Sequence, residues 1–324
     1  MTSKGSATST SSKTTLATHI GRRPSPVTLG ARDAEASVGG PTGWARVPVA
    51  YPCRLIRLVP SSEDQLRSMV SFVDSYRARY DVTQQRTLFA TTRHVLMLSL
   101  VDAIEIEDGA GGWAREPSLL LGPRTDPQSA RMRGTHRGLH VELDPLASYR
   151  LFGRPASDLA GEVVETDSIA SRLWNQELAE RLVTADDHRM MVTVLRDVLQ
   201  PLAAQRPRPD PLVVWLWGEL VASGGRARIG ELVRRSGYSH RHVVTRFRAL
   251  IGSTPKVAAR LLRFERAARL LVAGRTPAEV AATCGYADQS HLSRETVSLS
   301  GLTPAMLARS SPDGRTLWRP ATPG

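Results

Sequence analysis

The chain has 324 residues, a formal net charge of +12 and only two cysteines, Cys53 and Cys284. Two cysteines give no disulfide framework and fit a reducing compartment, so the predicted localisation is cytoplasmic. No run of apolar residues approaches the length of about 18 that a membrane-spanning helix needs, so no membrane partner is predicted.

Residues 1–43 are rich in Ser, Thr, Gly and Ala and hold almost no large apolar side chains. Such a segment cannot bury enough surface to fold, so we predict a disordered tail. No apolar run follows Lys4 or Lys13, which argues against a signal peptide. Residues 311–324 are predicted to form a second disordered tail.

Residues 44–200 are predicted to fold as a sensor and oligomerisation domain. A helix is predicted at 63–80, where Met69, Val73 and Tyr76 have helical spacing. Helical spacing returns from Pro145 onward. The order of strands followed by helices predicts an α+β fold with a mixed strand and helix domain at the amino terminus. The expected strands, bounded by Gly and Pro, are 53–59, 94–106, 118–121 and 139–143.

Residues 201–211 are rich in proline and predict a stiff linker to a carboxy-terminal domain at 212–310. That domain contains an internal repeat. Gly237 and Gly285 are 48 residues apart, whereas Ser239 and Asp288, just beyond the turn, are 49 apart. A change of one residue in a tight turn, with helices in register on both sides, is how two copies of a helix-turn-helix differ.

Each copy of the repeat has the local chemistry of a helix-turn-helix. A short amphipathic helix ends at a Gly suited to the left-handed conformation. Ser239 and Asp288 are the predicted N-caps of the next helix, because their side-chain oxygens can accept from its free amides. That next helix is the one that lies in the major groove. A helical repeat without a DNA role is the alternative.

Basic charge is concentrated on this repeat and favours DNA. Residues 211–310 carry a net charge of +9, which is typical of a domain that binds a polyanion. An anionic membrane surface would need exposed apolar residues, whereas here they have core spacing. About 5–8 phosphate contacts are expected. The candidates are Arg226, Arg228, Arg235, Arg241, Arg248, Arg260 and Arg263.

Residues 255–273, between the two copies, predict one long helix, with Pro255 in its first turn and Gly274 just past its end. Its length of about 28 Å compares with about 34 Å between successive major-groove faces. The carboxy-terminal domain is therefore predicted to be all-α, with two helix-turn-helix units joined by a long helix. One subunit would place two recognition helices in successive major-groove segments.

Three stretches of the repeat carry a more specific pattern: Gly252-Ser-Thr-Pro255, Arg263-Phe-Glu-Arg266, and the run from Ala278 through Gly285-Tyr-Ala-Asp288 to Arg294. With them, residues 229–309 resemble the DNA-binding domain of the AraC/XylS family of bacterial transcription regulators. The resemblance implies DNA-binding residues on both recognition helices, namely Arg241, His242, Val244, Thr245, Arg246, Arg248, Gln289, Ser290, His291, Ser293 and Arg294.

The sequence departs from the family pattern at several positions. The family usually has Arg at the position of Thr245, an aromatic residue at Thr296, and basic residues at Val297 and Ser298. Thr296 is therefore expected to leave a gap in the core of the second helix-turn-helix. The loss of basic residues predicts a weaker hold on the DNA backbone.

The expected partners are double-stranded DNA, RNA polymerase, a small-molecule effector at the amino-terminal domain and a second copy of the chain. Whether the protein activates or represses is left open. The alternative is a DNA-binding adaptor or architectural protein without effector sensing. Residues 121–159 resemble, more loosely, the amino-terminal sensor of some actinobacterial members of the family.

No catalytic residue, cofactor or metal is predicted. His136, His140 and Glu142 lie close enough in sequence for a metal site. A half-exposed histidine beside a surface carboxylate is the favoured interpretation, because no third and fourth ligand is evident. Cys53 fits either a reactive alkyl acceptor or, as favoured, a small core residue.

Overall fold

The computed structural model describes residues 69–108, 111–166, 168, 175–204 and 208–309. The predicted strand at 53–59, Cys53 and both predicted tails, 1–43 and 311–324, lie outside these residues. We refer to the described residues from 69 to 204 as the sheet region and to those from 208 to 309 as the helical region. Strands precede helices along the chain, and the predicted α+β fold is confirmed.

Within the described residues, seven strands form one antiparallel sheet. The central strand is β6, which pairs with β1 along one side and with β2 and β3 along the other. From β2 the sheet continues through β5 to β7, and from β3 to β4. The strands are β1 (Val70–Leu88), β2 (His94–Ser99), β3 (Glu105–Glu107), β4 (Trp113–Ala114), β5 (Ser118–Leu121), β6 (Gln128–Leu143) and β7 (Val163–Glu165).

The predicted strands at 118–121 and 139–143 are confirmed, and 94–106 is extended at both ends with a turn between. The helix predicted at 63–80 is wrong from Val70 onward, since those residues belong to β1. Pairing with β6 decides the conformation of this segment. Both faces of β1 are half-buried, so its apolar residues do not alternate and happen to match a helical spacing.

Both faces of the sheet carry hydrophobic core. Leu96 and Leu98 of β2 face a cluster that includes the helices following β6, whereas Val95 and Met97 face a second cluster with Leu119. The helices of this region are α1 (Pro145–Phe152), α2 (Gln176–Thr184) and α3 (His188–Ala204), with a short 3₁₀ helix at Ala156–Leu159. The end of α3 covers the first residues of the predicted 201–211 linker.

Seven helices make up the described helical region, and the predicted long helix between the repeats is confirmed as α7. We call α5 with α6 the first helix-turn-helix and α8 with α9 the second. Helices α4 and α7 precede and support them. No described helix is long and apolar enough to cross a membrane. The bounds are α4 (Pro211–Ala222), α5 (Ile229–Ser236), α6 (His240–Ile251), α7 (Pro255–Val272), α8 (Pro277–Cys284), α9 (Gln289–Ser300) and α10 (Pro304–Ala308).

Candidate nucleic-acid interface

The turns of the two helix-turn-helix units have the same backbone design. Helix α5 ends at Gly237 and α8 at Gly285, whose φ angles of 72° and 77° lie in the left-handed region that favours glycine. Beyond the turns, Ser239 Oγ accepts from the His242 amide at 3.3 Å and Asp288 Oδ1 accepts from the His291 amide at 2.7 Å. These caps fix the direction in which the recognition helices α6 and α9 leave the turn.

Each recognition helix has one buried and one exposed face. On α6 the residues Val243, Phe247 and Ile251 are buried, and on α9 the buried set includes Leu292 and Leu299. The exposed faces carry most of the predicted DNA-binding side chains: Arg241, His242, Thr245, Arg246, Arg248, Gln289, Ser290 and Arg294, with Val244, His291 and Ser293 half-buried beside them. The predicted side chains thus lie on two exposed faces, one on each recognition helix.

The tyrosines that follow the turn glycines differ between the two units. Tyr238 is 53% exposed and stacks on His242, with ring centroids 4.8 Å apart and planes 13° from parallel. Tyr286 is 5% exposed and meets His291 edge-on at 5.2 Å. Burial raises the pKa of the Tyr286 hydroxyl, and nearby Glu295 raises it further. Tyr238 was not among the predicted DNA-binding residues; it lies in the turn, just before the N-cap Ser239, and the repeated Gly-Tyr order is the signal that marks it.

An ion pair links each recognition helix to the helix that supports it, and it uses equivalent positions. Arg246 and Glu295 are 49 residues apart, the offset of the repeat. Arg246 Nε lies 2.6 Å from Oδ2 of Asp210, the N-cap of α4. The Glu295 carboxylate accepts from Arg260 Nε at 3.1 Å and from Arg263 Nη2 at 3.4 Å, both on α7. The recognition helix thus provides the positive member of the ion pair in the first unit and the negative member in the second.

These pairs reduce the number of predicted phosphate contacts that are free to meet DNA. Arg260 and Arg263 bind Glu295, and Arg235 Nη1 lies 2.9 Å from Glu219. Five of the seven candidates are exposed, and of these Arg235 pairs with Glu219; the other four are Arg226, Arg228, Arg241 and Arg248. The positive surface available to a polyanion is therefore smaller than the sequence alone suggests.

The sheet region contacts the second helix-turn-helix through the segment that joins β1 to β2. The Ala90 amide donates to the Leu299 carbonyl at the end of α9, at 2.9 Å. The Thr91 hydroxyl donates to Glu265 Oε1 of α7 at 3.0 Å. Arg93 lies between two carboxylates, 3.4 Å from Glu265 and 3.5 Å from Glu142. A polar path therefore joins the sheet to the connecting helix.

His136, His140 and Glu142 lie on the central strand β6, and the expectation that they are half-exposed is wrong. All three are buried, because β6 has neighbours on both sides. Burial and the nearby Arg124 guanidinium lower the pKa of His140 to about 4, and burial raises the pKa of Glu142 to about 6. In the described part of the chain, no three potential metal ligands converge.

Comparison with known proteins gives one match in sequence and several in fold. A family model described as a helix-turn-helix domain matches residues 232–310. None of the curated proteins matches the sequence.

The fold comparison gives solved structures of ToxT from Vibrio cholerae. One has 10% sequence identity and a TM-score of 0.45, and covers 72% of this chain and 96% of that chain. A second, from strain O395, has 13% identity and a TM-score of 0.43, and covers 72% and 95%. A third, bound to an unsaturated fatty acid, has 11% identity and a TM-score of 0.43, and covers 73% and 93%. The fatty acid in the third structure is a ligand of ToxT.

Proposed function

We propose that this chain, whose carboxy-terminal domain is an AraC-type helix-turn-helix domain, is a sequence-specific DNA-binding transcription regulator of the cytoplasm. In this proposal α6 and α9 enter successive major-groove segments on one face of the duplex. The observation that supports it is the exposed polar face on each of the two recognition helices, in units that α7 connects. With 18 residues, α7 is about 27 Å long, close to the spacing of successive grooves.

The roles proposed for individual residues follow from side-chain chemistry and exposure. Arg241, Gln289 and Arg294 are exposed and have the donors that recognise purine edges in the major groove. Arg226, Arg228 and Arg248 would neutralise phosphates and set the register of the protein on DNA. The remaining predicted residues, His242, Val244, Thr245, Arg246, Ser290, His291 and Ser293, would complete the contact surface.

The domain organisation is proposed as residues 44–200 for sensing and subunit pairing, 201–211 as linker, 212–310 for DNA binding, and tails at 1–43 and 311–324. The path from Glu142 through Arg93 to Glu265 supports effector control, because it connects the interior of the sheet to the helix shared by both DNA-binding units. RNA polymerase and a second copy of the chain are the further proposed partners.

The test is genome-wide footprinting with the full chain, followed by affinity measurements on the site found as salt is varied. We expect protection of about two helical turns of DNA per subunit and a slope of log K against log salt of about −4 to −6. A slope shallower than about −2 would contradict DNA as the main partner. Sites unrelated to promoters would instead favour an architectural protein.

A further inference from the structure

The two helix-turn-helix units differ at one core position. In the first unit Phe247 of α6 is fully buried and packs against Trp217 of the supporting helix α4, with ring centroids 6.5 Å apart. The equivalent position on α9, 49 residues later, is Thr296, which is also fully buried. Its hydroxyl donates to the Leu292 carbonyl one turn earlier, at 2.7 Å. The second unit therefore has no aromatic ring of its own on the buried face of its recognition helix.

An aromatic ring from the sheet region lies in the core of the second unit. Phe89, in the segment after β1, is 2% exposed and packs against Phe264 of the supporting helix α7, with centroids 6.3 Å apart and planes at 68°. It shares a hydrophobic cluster with Leu292 and Leu299. Because these two residues flank Thr296 on the buried face of α9, Phe89 belongs to the core that this face of α9 contacts.

The segment that carries Phe89 is held in place by buried polar contacts. The Ala90 amide bonds to the Leu299 carbonyl, which α9 leaves free at its carboxy-terminal end. Thr91 and Arg93 both donate to Glu265, which is 4% exposed. A buried carboxylate requires such partners. Three contacts from the next four residues therefore fix the approach of Phe89 to the second unit.

We propose that Phe89 is a positioning residue of the second helix-turn-helix and supplies the core aromatic that Thr296 does not. Each unit then contains one aromatic pair with its supporting helix: Trp217 with Phe247 in the first, Phe264 with Phe89 in the second. The first unit has both rings of its pair within the helical region, and the sheet region adds a hydrogen bond from Trp217 Nε1 to Asp144 at 2.8 Å. The second requires the sheet region to hold α9, and through α9 the side chains of Gln289 and Arg294. The DNA consequence rests on the proposed function.

Hydrogen exchange on the full chain, without DNA, tests the packing by itself. In Phe89→Ala, the amides of α8 and α9 should exchange faster on the order of 100-fold, because a buried ring has been removed from their core. The amides of α5 and α6 should change by less than about threefold. The matched control is Phe72→Ala, which removes a half-buried ring of β1 that packs on His140. It should leave α9 unchanged.

A second variant separates a missing ring from general damage. In Phe89→Ala/Thr296→Phe the ring is returned from within α9, and slow exchange of α9 should be restored. If Phe89→Ala alone unfolds the chain, Phe89→Leu replaces it with the same expectation at smaller amplitude. Equal acceleration in α6 and α9, no acceleration in α9, or no recovery in the double variant would each overturn the proposal.

Footprinting then links the packing to DNA binding. Phe89→Ala should lose protection of the half-site contacted by α9 and keep protection of the half-site contacted by α6, and the double variant should regain both. Loss of both halves together would overturn the positioning role. If the wild-type chain gives no footprint, the proposed function fails, and the exchange result still decides whether Phe89 completes the second unit.

Discussion

The two helix-turn-helix units share a turn and differ in how their recognition helices are held. Both have a left-handed glycine, a side-chain N-cap and an ion pair to the supporting helix. The first relies on an internal aromatic ring and an exposed ion pair. The second relies on a buried ion pair and a ring from another region of the chain. The backbone of the motif thus depends on the turn, while its stability can come from different side chains.

The largest expected effect compares the two equivalent core positions. Phe247→Ala should lower the free energy of unfolding by about 3–5 kcal/mol, because it leaves a cavity beside Trp217. Thr296→Ala removes one hydroxyl whose partner carbonyl already lies within a helix, so the loss should be about 1 kcal/mol. Urea unfolding of the full chain, followed by tryptophan fluorescence, measures both. Equal losses would show that the two positions are not equivalent in the core.

The two ion pairs should differ in the opposite direction, with the larger loss of stability in the second unit. Glu295→Gln removes the charge from a carboxylate that is 6% exposed and leaves two arginines without it, so we expect a loss of about 2–3 kcal/mol. Asp210→Asn weakens a pair whose arginine is 56% exposed, and should cost about 1 kcal/mol or less. The same unfolding experiment applies. A larger loss of stability for Asp210→Asn than for Glu295→Gln would contradict the conclusion that the second unit depends more on its ion pair.

The two units can also be compared by the contributions of their proposed base contacts to DNA binding. Arg294→Ala should cost about 1–3 kcal/mol of binding and relax the preference at one position of the site. Arg241→Ala should cost at least as much, because Thr245 provides no guanidinium beside it. Competition binding with single-base variants of the site measures both losses. Uniform weakening on every sequence would instead assign these arginines to phosphates.

The smallest expected effect is on the contacts of the second unit with the phosphate backbone of DNA. Arg248 of the first unit corresponds to Val297 of the second, which is 45% exposed. Val297→Arg should tighten binding to all sequences alike and steepen the salt slope by about one unit. Val297→Gln, which adds a polar side chain without charge, is the control and should leave the slope unchanged. An unchanged slope in both variants would mean that this face of α9 does not meet phosphate.

Local chemistry explains which parts of the fold the sequence predicts. The turns, the caps and α7 follow from residues within a few positions of one another, such as Gly237 before Ser239, and these elements agree with the structure. The conformation of β1 depends on pairing with β6, which lies far along the chain. Its half-buried faces leave no alternating pattern to detect, so the helical spacing mispredicts residues 70–80.

The same distinction applies to the candidate site. The outward faces of α6 and α9 follow from helical periodicity. The partners of the charged residues do not, and Arg260 and Arg263 were expected on the DNA face although both bind Glu295. The repeat correctly predicts that Thr296 occupies a core position, since this residue is fully buried. The sequence gives no indication that Phe89 packs there, because nothing near Phe89 marks it as part of a helical core.

Helix α7 has a further consequence for the DNA it would bind. Because it runs unbroken from one unit to the other, it fixes the angular phase between the two recognition helices as well as their distance. Each residue inserted into it would turn the second recognition helix by about 100° relative to the first. A binding site lengthened by about five base pairs would likewise place its second half on the opposite side of the duplex. One subunit could then occupy only half of the site. When the insertion reaches a whole turn, both halves face the same side of the duplex again but are too far apart for one subunit. Full occupancy would then require a second subunit.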